Sequence, residues 1–365
     1  MQVMSDLSGS PRHAGDRDYP PLPSAPSPGQ VLYNSEDHCD VILLVGQGEK
    51  CWRFPGHSFI LCSASPVFQS LLAREVTNGD SVSILKIEDV EPCIFEILLR
   101  YVYRGADEVN LNSDQTTMQL LTASKKYLLQ ELSTICLKYL CDHVTKENVL
   151  GILSYLKRLS GSSGHDEGQN LQNELLNKCV SIIDAHSDYV LLSGAFENLE
   201  KEIVMDIVAR DTIQVHSELT VFNALMNWAC QECKRQKIEL TSMNKRAVLG
   251  KLLYYVRYLV MSLEEFSLGP AISGALSEEE KNSLTKRLKG DCLCPLPDQL
   301  NGRRQTIKRQ GSAVAVSTTG SCHLGAAGPS AISQPPCKTK KKKKATQKLV
   351  EGLGDFFIYA IQLLD

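Results

Sequence analysis

In the stretch DVILLVG, residues 40–46, Val41, Leu43 and Val45 alternate with the equally apolar Ile42 and Leu44. A short run with both parities apolar predicts a strand covered on both faces. The loop GQGEK then leads, at hairpin spacing, into a second strand, CWRF. A third strand is predicted over SVSILKI, 81–87. There the apolar parity shifts from Val82 and Ile84 to Leu85 and Ile87, which predicts a bulge. Between the second and third strands lies GHSFILCSASPVFQSLL, 56–72. Serine is a favoured N-cap and proline suits the first helical position, so Ser65-Pro66 marks the start of a helix. The stretch reads as two short helices burying Phe59, Ile60, Leu61, Phe68, Leu71 and Leu72.

Helical spacing takes over further on. Pro92 opens a helix with Ile94, Ile97, Leu98, Tyr101 and Val102 on one face, and Gly105 ends it. Leu132, Ile135, Cys136, Tyr139 and Leu140 repeat the spacing, which makes Cys136 part of a core stripe. Strands followed by helices make residues 31–145 one α+β domain. From 146 on no strand pattern is found. Stripes at Val149–Leu156, Leu175–Ile183, Leu199–Ile207, Val221–Ala229 and Leu249–Val256 predict an all-helical second domain over 146–270, with a loop at GSSGHDEGQN, 161–170. Residues 1–30 are rich in Pro, Ser and Gly and read as a disordered tail. Residues 271–365 read as a low-complexity, basic tail in which periodicity fails after about Leu288.

The chain has 365 residues, 43% hydrophobic, enough for two cores and tails. The net charge of −3 hides an asymmetry: residues 291–365 carry 11 Lys+Arg against 5 Asp+Glu, and residues 1–290 carry 28 against 37. An acidic body has no counterion-release drive toward nucleic acid, so any such role falls to the tail. The N-terminus lacks an apolar signal core, and no apolar run is long enough to span a bilayer. The thirteen cysteines are scattered, and without a signal they read as reduced thiols of the cytosol or nucleus.

Candidate chemistry is sparse. On a helix, residues turn 100° per step. His57 and Cys62 then point about 140° apart and His57 and Ser63 about 240° apart, so neither pair can act as base and nucleophile. Cys230-Gln-Glu-Cys233 is the only C-x-x-C; no second pair lies at zinc spacing, and it falls within a helical stripe. Cys292-Leu-Cys294 reads as loop. No catalytic, cofactor-binding or metal site is expected. Five lysines run from Lys340 to Lys344 and read as a solvated tail, a nuclear localisation signal or an anion-binding patch. The LVEGLGDFFIYAIQLLD that follows reads as a membrane-surface helix, a partner-binding helix or the remnant of an altered reading frame.

The motifs HCDVILLV, FPGHSFILCSASPVFQSLL, LKIEDVEPCIFEILLRYVYRG, ASKKYLLQELSTICLKYL and NWACQECKRQKIELTSMNKRAVLGKLL, in that order, resemble a BTB/POZ domain followed by a BACK domain. With MSLEEFSLGPAISG they look most like the subgroup that ends in a PHR β-sandwich. The resemblance implies an interaction scaffold, a homodimer or a heterodimer with other BTB proteins, that acts as adaptor between a substrate protein and a cullin-3 type RING ubiquitin ligase. It implies no enzyme activity and no cofactor, and the location expected from the reduced thiols is the cytoplasm, with the nucleus as the alternative. It assigns Asp40 and His57 to the core and dimer region, and Phe68, Leu71, Leu72, Val76 and Asn78 to the cullin-facing side. Where family adaptors carry an acid, Val76-Thr77-Asn78 has none, and losing one charge-assisted contact costs about 1–2 kcal/mol. The segment where a sandwich is expected lacks alternating strands, as in a truncated or spliced form able to act as a dominant-negative partner. The other readings are a nuclear BTB regulator that uses the lysine run and a cysteine-based hydrolase or redox protein.

Overall fold

The computed structural model describes residues 31–75, 82–159 and 167–309. The N-terminal tail, Val76 and Asn78, the lysine run and the apolar C-terminal stretch lie outside the described residues. Three strands form one sheet: β1 (Val41–Val45), β2 (Trp52–Gly56) and β3 (Ser83–Ile87), in the order β2-β1-β3. β1 pairs antiparallel with β2, Leu43 opposite Phe54, and parallel with β3, Leu43 opposite Leu85. Gly46 leaves β1 at φ +105°, and a Cβ there would come within 2.4 Å of the Lys50 carbonyl oxygen, so the turn requires glycine.

Two strand expectations change. Val41, Leu43 and Val45 are buried, but Ile42 and Leu44 are only half-buried, so β1 is covered fully on one face. No bulge forms in β3: its register with β1 is regular, Leu85 and Ile87 face the core and Ile84 faces outward. The parity break arises because Val82 stands before the strand and Ile84 is an apolar residue on its outward face.

Around the sheet pack α1 (Ser58–Ala64), α2 (Pro66–Glu75), α3 (Pro92–Arg104), α4 (Asp114–Lys126) and α5 (Gln130–His143). Ser65 caps α2 as its sequence predicts: its Oγ accepts from the N–H groups of Val67 and Phe68 and donates to the Tyr127 carbonyl at 2.6 Å. Gly105, at φ +85°, ends α3. The buried face of α3 is Ile94, Phe95, Leu98, Leu99 and Tyr103, rotated from the predicted stripe, whose Ile97, Tyr101 and Val102 are half-buried. Phe95 supplies the reason, since it packs edge-on against Phe68 and Tyr127 and at a tilt against Phe54 at the centre of the domain.

The second set of helices begins with α6 (Val149–Leu159) and α7 (Glu167–Ala185), which pack on each other while α7 also packs on α5. Short helices α8 (Ser187–Leu191), α9 (Gly194–Glu197) and α10 (Lys201–Val208) lead to α11 (Glu218–Arg235) and α12 (Ser242–Leu249). Val221, Phe222, Leu225, Trp228 and Ala229 of α11 are all buried, and Trp228 Nε1 donates to the Leu199 carbonyl at 2.9 Å. Cys233 lies in the same buried face, so the C-x-x-C is helix core.

The chain beyond residue 270 departs from expectation. After α13 (Leu263–Leu268), the helix α14 (Glu278–Leu288) begins with a capping box in which Ser277 and Glu280 bond each other's backbone N–H. Ala275, Leu284 and Leu300 are fully buried, and 3₁₀ turns at Asp298–Leu300 and Arg303–Thr306 follow. Residues 271–309 are therefore part of the folded body. The apolar anchors are spaced too widely to register as a periodic stripe. The polar anchors, Glu280, Gln305 and Arg309, look like surface residues until their partners are known.

Candidate interaction surface

Asp40 stands one residue before β1, and β1 runs antiparallel to β2, so its carboxylate meets the chain where β2 gives way to α1. Oδ1 accepts from the Ser58 N–H at 2.7 Å, and the Ser58 hydroxyl donates to Oδ2. His57, the N-cap residue, makes no side-chain cap of its own. Asp40 supplies it from the residue before β1, with its negative charge at the positive end of the helix.

The His57 ring is buried and turned the other way. Nδ1 lies 2.9 Å from the Tyr103 hydroxyl and Nε2 lies 2.8 Å from the Asp37 carbonyl oxygen. The backbone N–H of His57 donates to the same Tyr103 oxygen at 2.9 Å. One assignment satisfies all three bonds: Tyr103 donates to Nδ1, and Nε2 carries the proton given to Asp37. Burial pushes the Tyr103 hydroxyl up to about 12, so it stays a donor at neutral pH. Tyr33 packs edge-on against Tyr103 at 6.0 Å, with the Arg104 guanidinium 4.6 Å above its ring. This cluster fixes the first described turn to α1. His57, Cys62 and Ser63 do not converge; the Cys62 thiol is pushed up by burial and then by the Asp40 charge, which is opposite to nucleophile activation.

On this rigid base α1 presents Phe59, which is 83% exposed, with Ile60 half-buried beside it. The sequence pattern had placed Phe59 inside. A seven-residue helix packed against α2 and α3 can bury only a narrow stripe, and Leu61 takes that place. Nothing in a local periodicity separates Phe59 from a core residue, so this surface side chain was missed.

The α2 assignments need correction as well. Phe68 is fully buried, stacked on Tyr127 with ring centroids 4.6 Å apart, and Leu72 is buried too. Neither can face a partner, because both complete the domain's own core. Leu71 is half-buried and keeps its place at the surface, next to the exposed Gln69, Ser70, Ala73 and Arg74. Asp40 and His57 both stand at the β2–α1 junction but bond different partners, Asp40 to Ser58 and His57 to Tyr103 and Asp37.

Among the described residues, no group of three His, Cys, Asp or Glu side chains is placed to hold a metal ion, and no helix is long and apolar enough to cross a membrane.

Comparison with known proteins agrees with this architecture. Residues 30–144 match the BTB/POZ domain, and residues 169–267 match BACK, described as BTB And C-terminal Kelch. BTB/POZ domain-containing protein 6-B of Danio rerio is 35% identical over 254 residues, covering 70% of this chain and 49% of that protein. BTB/POZ domain-containing protein 3 of Callithrix jacchus is 33% identical over 254 residues, 70% of this chain and 45% of that protein. The chain thus spans about half the length of the curated relatives it matches. Among solved structures, the BTB domain of human gigaxonin aligns with 28% of this chain and 79% of its own at 27% identity, with a TM-score of 0.24.

Proposed function

The chain is a BTB/POZ–BACK protein, and on that premise we propose that it is a dimeric, non-enzymatic scaffold recruiting a cullin-3 type RING ubiquitin ligase in the cytoplasm. The observation that carries the reading is Phe59. An aromatic side chain held out on a helix whose start is clamped by Asp40 and His57 is a preorganised apolar anchor, the kind of residue that dominates interface energies. A second copy of the domain offers the same face, as a two-fold contact needs. Two linked copies raise avidity for a bivalent target by about 10²–10⁴.

The ligase contact is assigned to the solvent side of α2, through Leu71, Gln69, Ala73 and the residues that follow the helix. Two measurements test the reading. Light scattering of the full chain is expected to give a dimer mass, and Phe59→Asp a monomer. Titration with a cullin N-terminal domain is expected to release or absorb heat at ~100 µM protein, a range that detects micromolar binding. A monomeric wild-type protein with no heat of binding would refute both parts.

A further inference from the structure

Residues 298–309 pack on the helical domain, and a cavity of about 230 Å³ lies between them and it. Its lining includes Tyr254 and Tyr255 and four arginines, Arg257, Arg303, Arg304 and Arg309. Two carboxylates answer these four guanidinium groups. Glu218 takes Arg309 through both oxygens, and Asp211 takes Arg257 and stands 3.7 Å from Arg304. Among the described residues Arg303 has no ion pair, so the wall carries two positive charges more than it neutralises.

We propose that this cavity binds a phosphate-bearing group, gripped by Arg303 and Arg304 at its mouth. Three features select that chemistry. A phosphate monoester carries about −1.5 to −2 charges at neutral pH, which matches the surplus, whereas a carboxylate leaves one charge unanswered. Guanidinium forks fit the planar pairs of oxygens that phosphate presents. The volume is below the ~300–1,000 Å³ of pockets for drug-sized molecules, so it suits a small charged group. The crowding of positive charge is felt at Arg257, whose proton affinity is lowered by burial and then by the Arg309 charge, against the pull of Glu218 and Asp211. Arg303 and Arg304 are exposed and hold little of the fold, so they can turn toward a ligand.

The group could come from a phosphorylated side chain of a partner or from a free polyphosphate. Calorimetry on the full chain at low ionic strength separates them, with N-acetyl-phosphothreonine amide and inorganic pyrophosphate as probes. At least one is expected to bind with a Kd below ~1 mM; tighter phosphothreonine binding identifies a modified partner, and tighter pyrophosphate binding a free anion. Arg303→Ala/Arg304→Ala is expected to weaken binding at least tenfold with an unchanged melting temperature. Lys138→Ala/Lys234→Ala, which removes two exposed charges elsewhere, is expected to leave it intact. No binding of either probe, or an equal loss in both double variants, would overturn the proposal.

Discussion

Arg309 and Glu218 form an ion pair closed off from water. Arg309 Nε donates to Oε1 at 2.6 Å and Nη2 to Oε2 at 3.2 Å, and both side chains are 3% exposed. The remaining N–H bonds of Arg309 go to the carbonyls of Val208, Arg210 and Tyr255, so all five donors are used. Glu218 in turn accepts from the Arg257 backbone N–H. Gln305 works beside it, donating to the Tyr254 and Val256 carbonyls and accepting from the Tyr258 N–H. The last described residues are thus fastened to the helical domain by polar groups that replace water bond for bond.

Breaking this pair from one side strands a charge in the interior. Glu218→Ala is therefore expected to destabilise the protein by about 3–5 kcal/mol. Replacing both partners, Glu218→Leu with Arg309→Met, is expected to cost far less, since no orphan charge remains. Urea unfolding of the two variants checks this. A loss under ~1 kcal/mol for Glu218→Ala would mean that the pair is open to solvent.

Glu280 gives the same segment a dependence on acid. Burial acts to raise its proton affinity, but hydrogen bonds from Arg246, the Ser277 backbone and Tyr254 outweigh that and hold it at about 2. An unfolded glutamate titrates at about 4.3, so the folded state binds fewer protons in between. Its contribution is complete above about pH 4.5 and is lost as pH falls from there through about 2. Between pH 6 and pH 3 the wild type should lose more stability than Glu280→Gln, as read from urea midpoints at the two pH values. Equal losses would place the acid sensitivity elsewhere.

How much of this was readable in advance depends on whether neighbours in sequence or neighbours in space decide. The core positions of α11, from Val221 to Ala229, follow from helical spacing because one long face meets one buried surface. The Ser65-Pro66 start of α2 was legible for the same local reason. Phe59 and Phe68 were not separable, since each is a phenylalanine on a short helix and only distant neighbours such as Phe95 and Tyr127 determine which is covered. The strap formed by residues 298–309 was hidden because its anchors are polar and find partners 47 to 101 positions away. One local signal is present there: Ser277 and Glu280 stand at capping-box spacing ahead of a helical stretch.

The thiols divide by burial. Cys136 and Cys179 are pushed up to about 12, chiefly by desolvation, whereas Cys51, Cys93 and Cys292 are exposed. The thiolate is the reacting form. Iodoacetamide at pH 8 is expected to label Cys51, Cys93 and Cys292 within minutes while Cys136 and Cys179 stay unmodified until the protein unfolds, as peptide mass mapping would show. Fast labelling of Cys136 in the folded protein would contradict its place in the α5 core.

The two phenylalanines around α1 and α2 give the sharpest contrast between holding the fold and offering a surface. Phe68→Ala removes a ring packed against Tyr127 and Phe95, so a cost of about 3–5 kcal/mol is expected at every protein concentration. Phe59→Asp changes an exposed position, and in a monomer such a change is worth about 0.5 kcal/mol or less. If Phe59 anchors a second copy, association adds stability that grows with concentration. The wild-type melting temperature should then rise as the protein is concentrated, and that of Phe59→Asp should stay flat. A wild-type melting temperature independent of concentration, with the Phe59→Asp curve superimposed on it, would leave Phe59 as a solvated side chain without a partner copy.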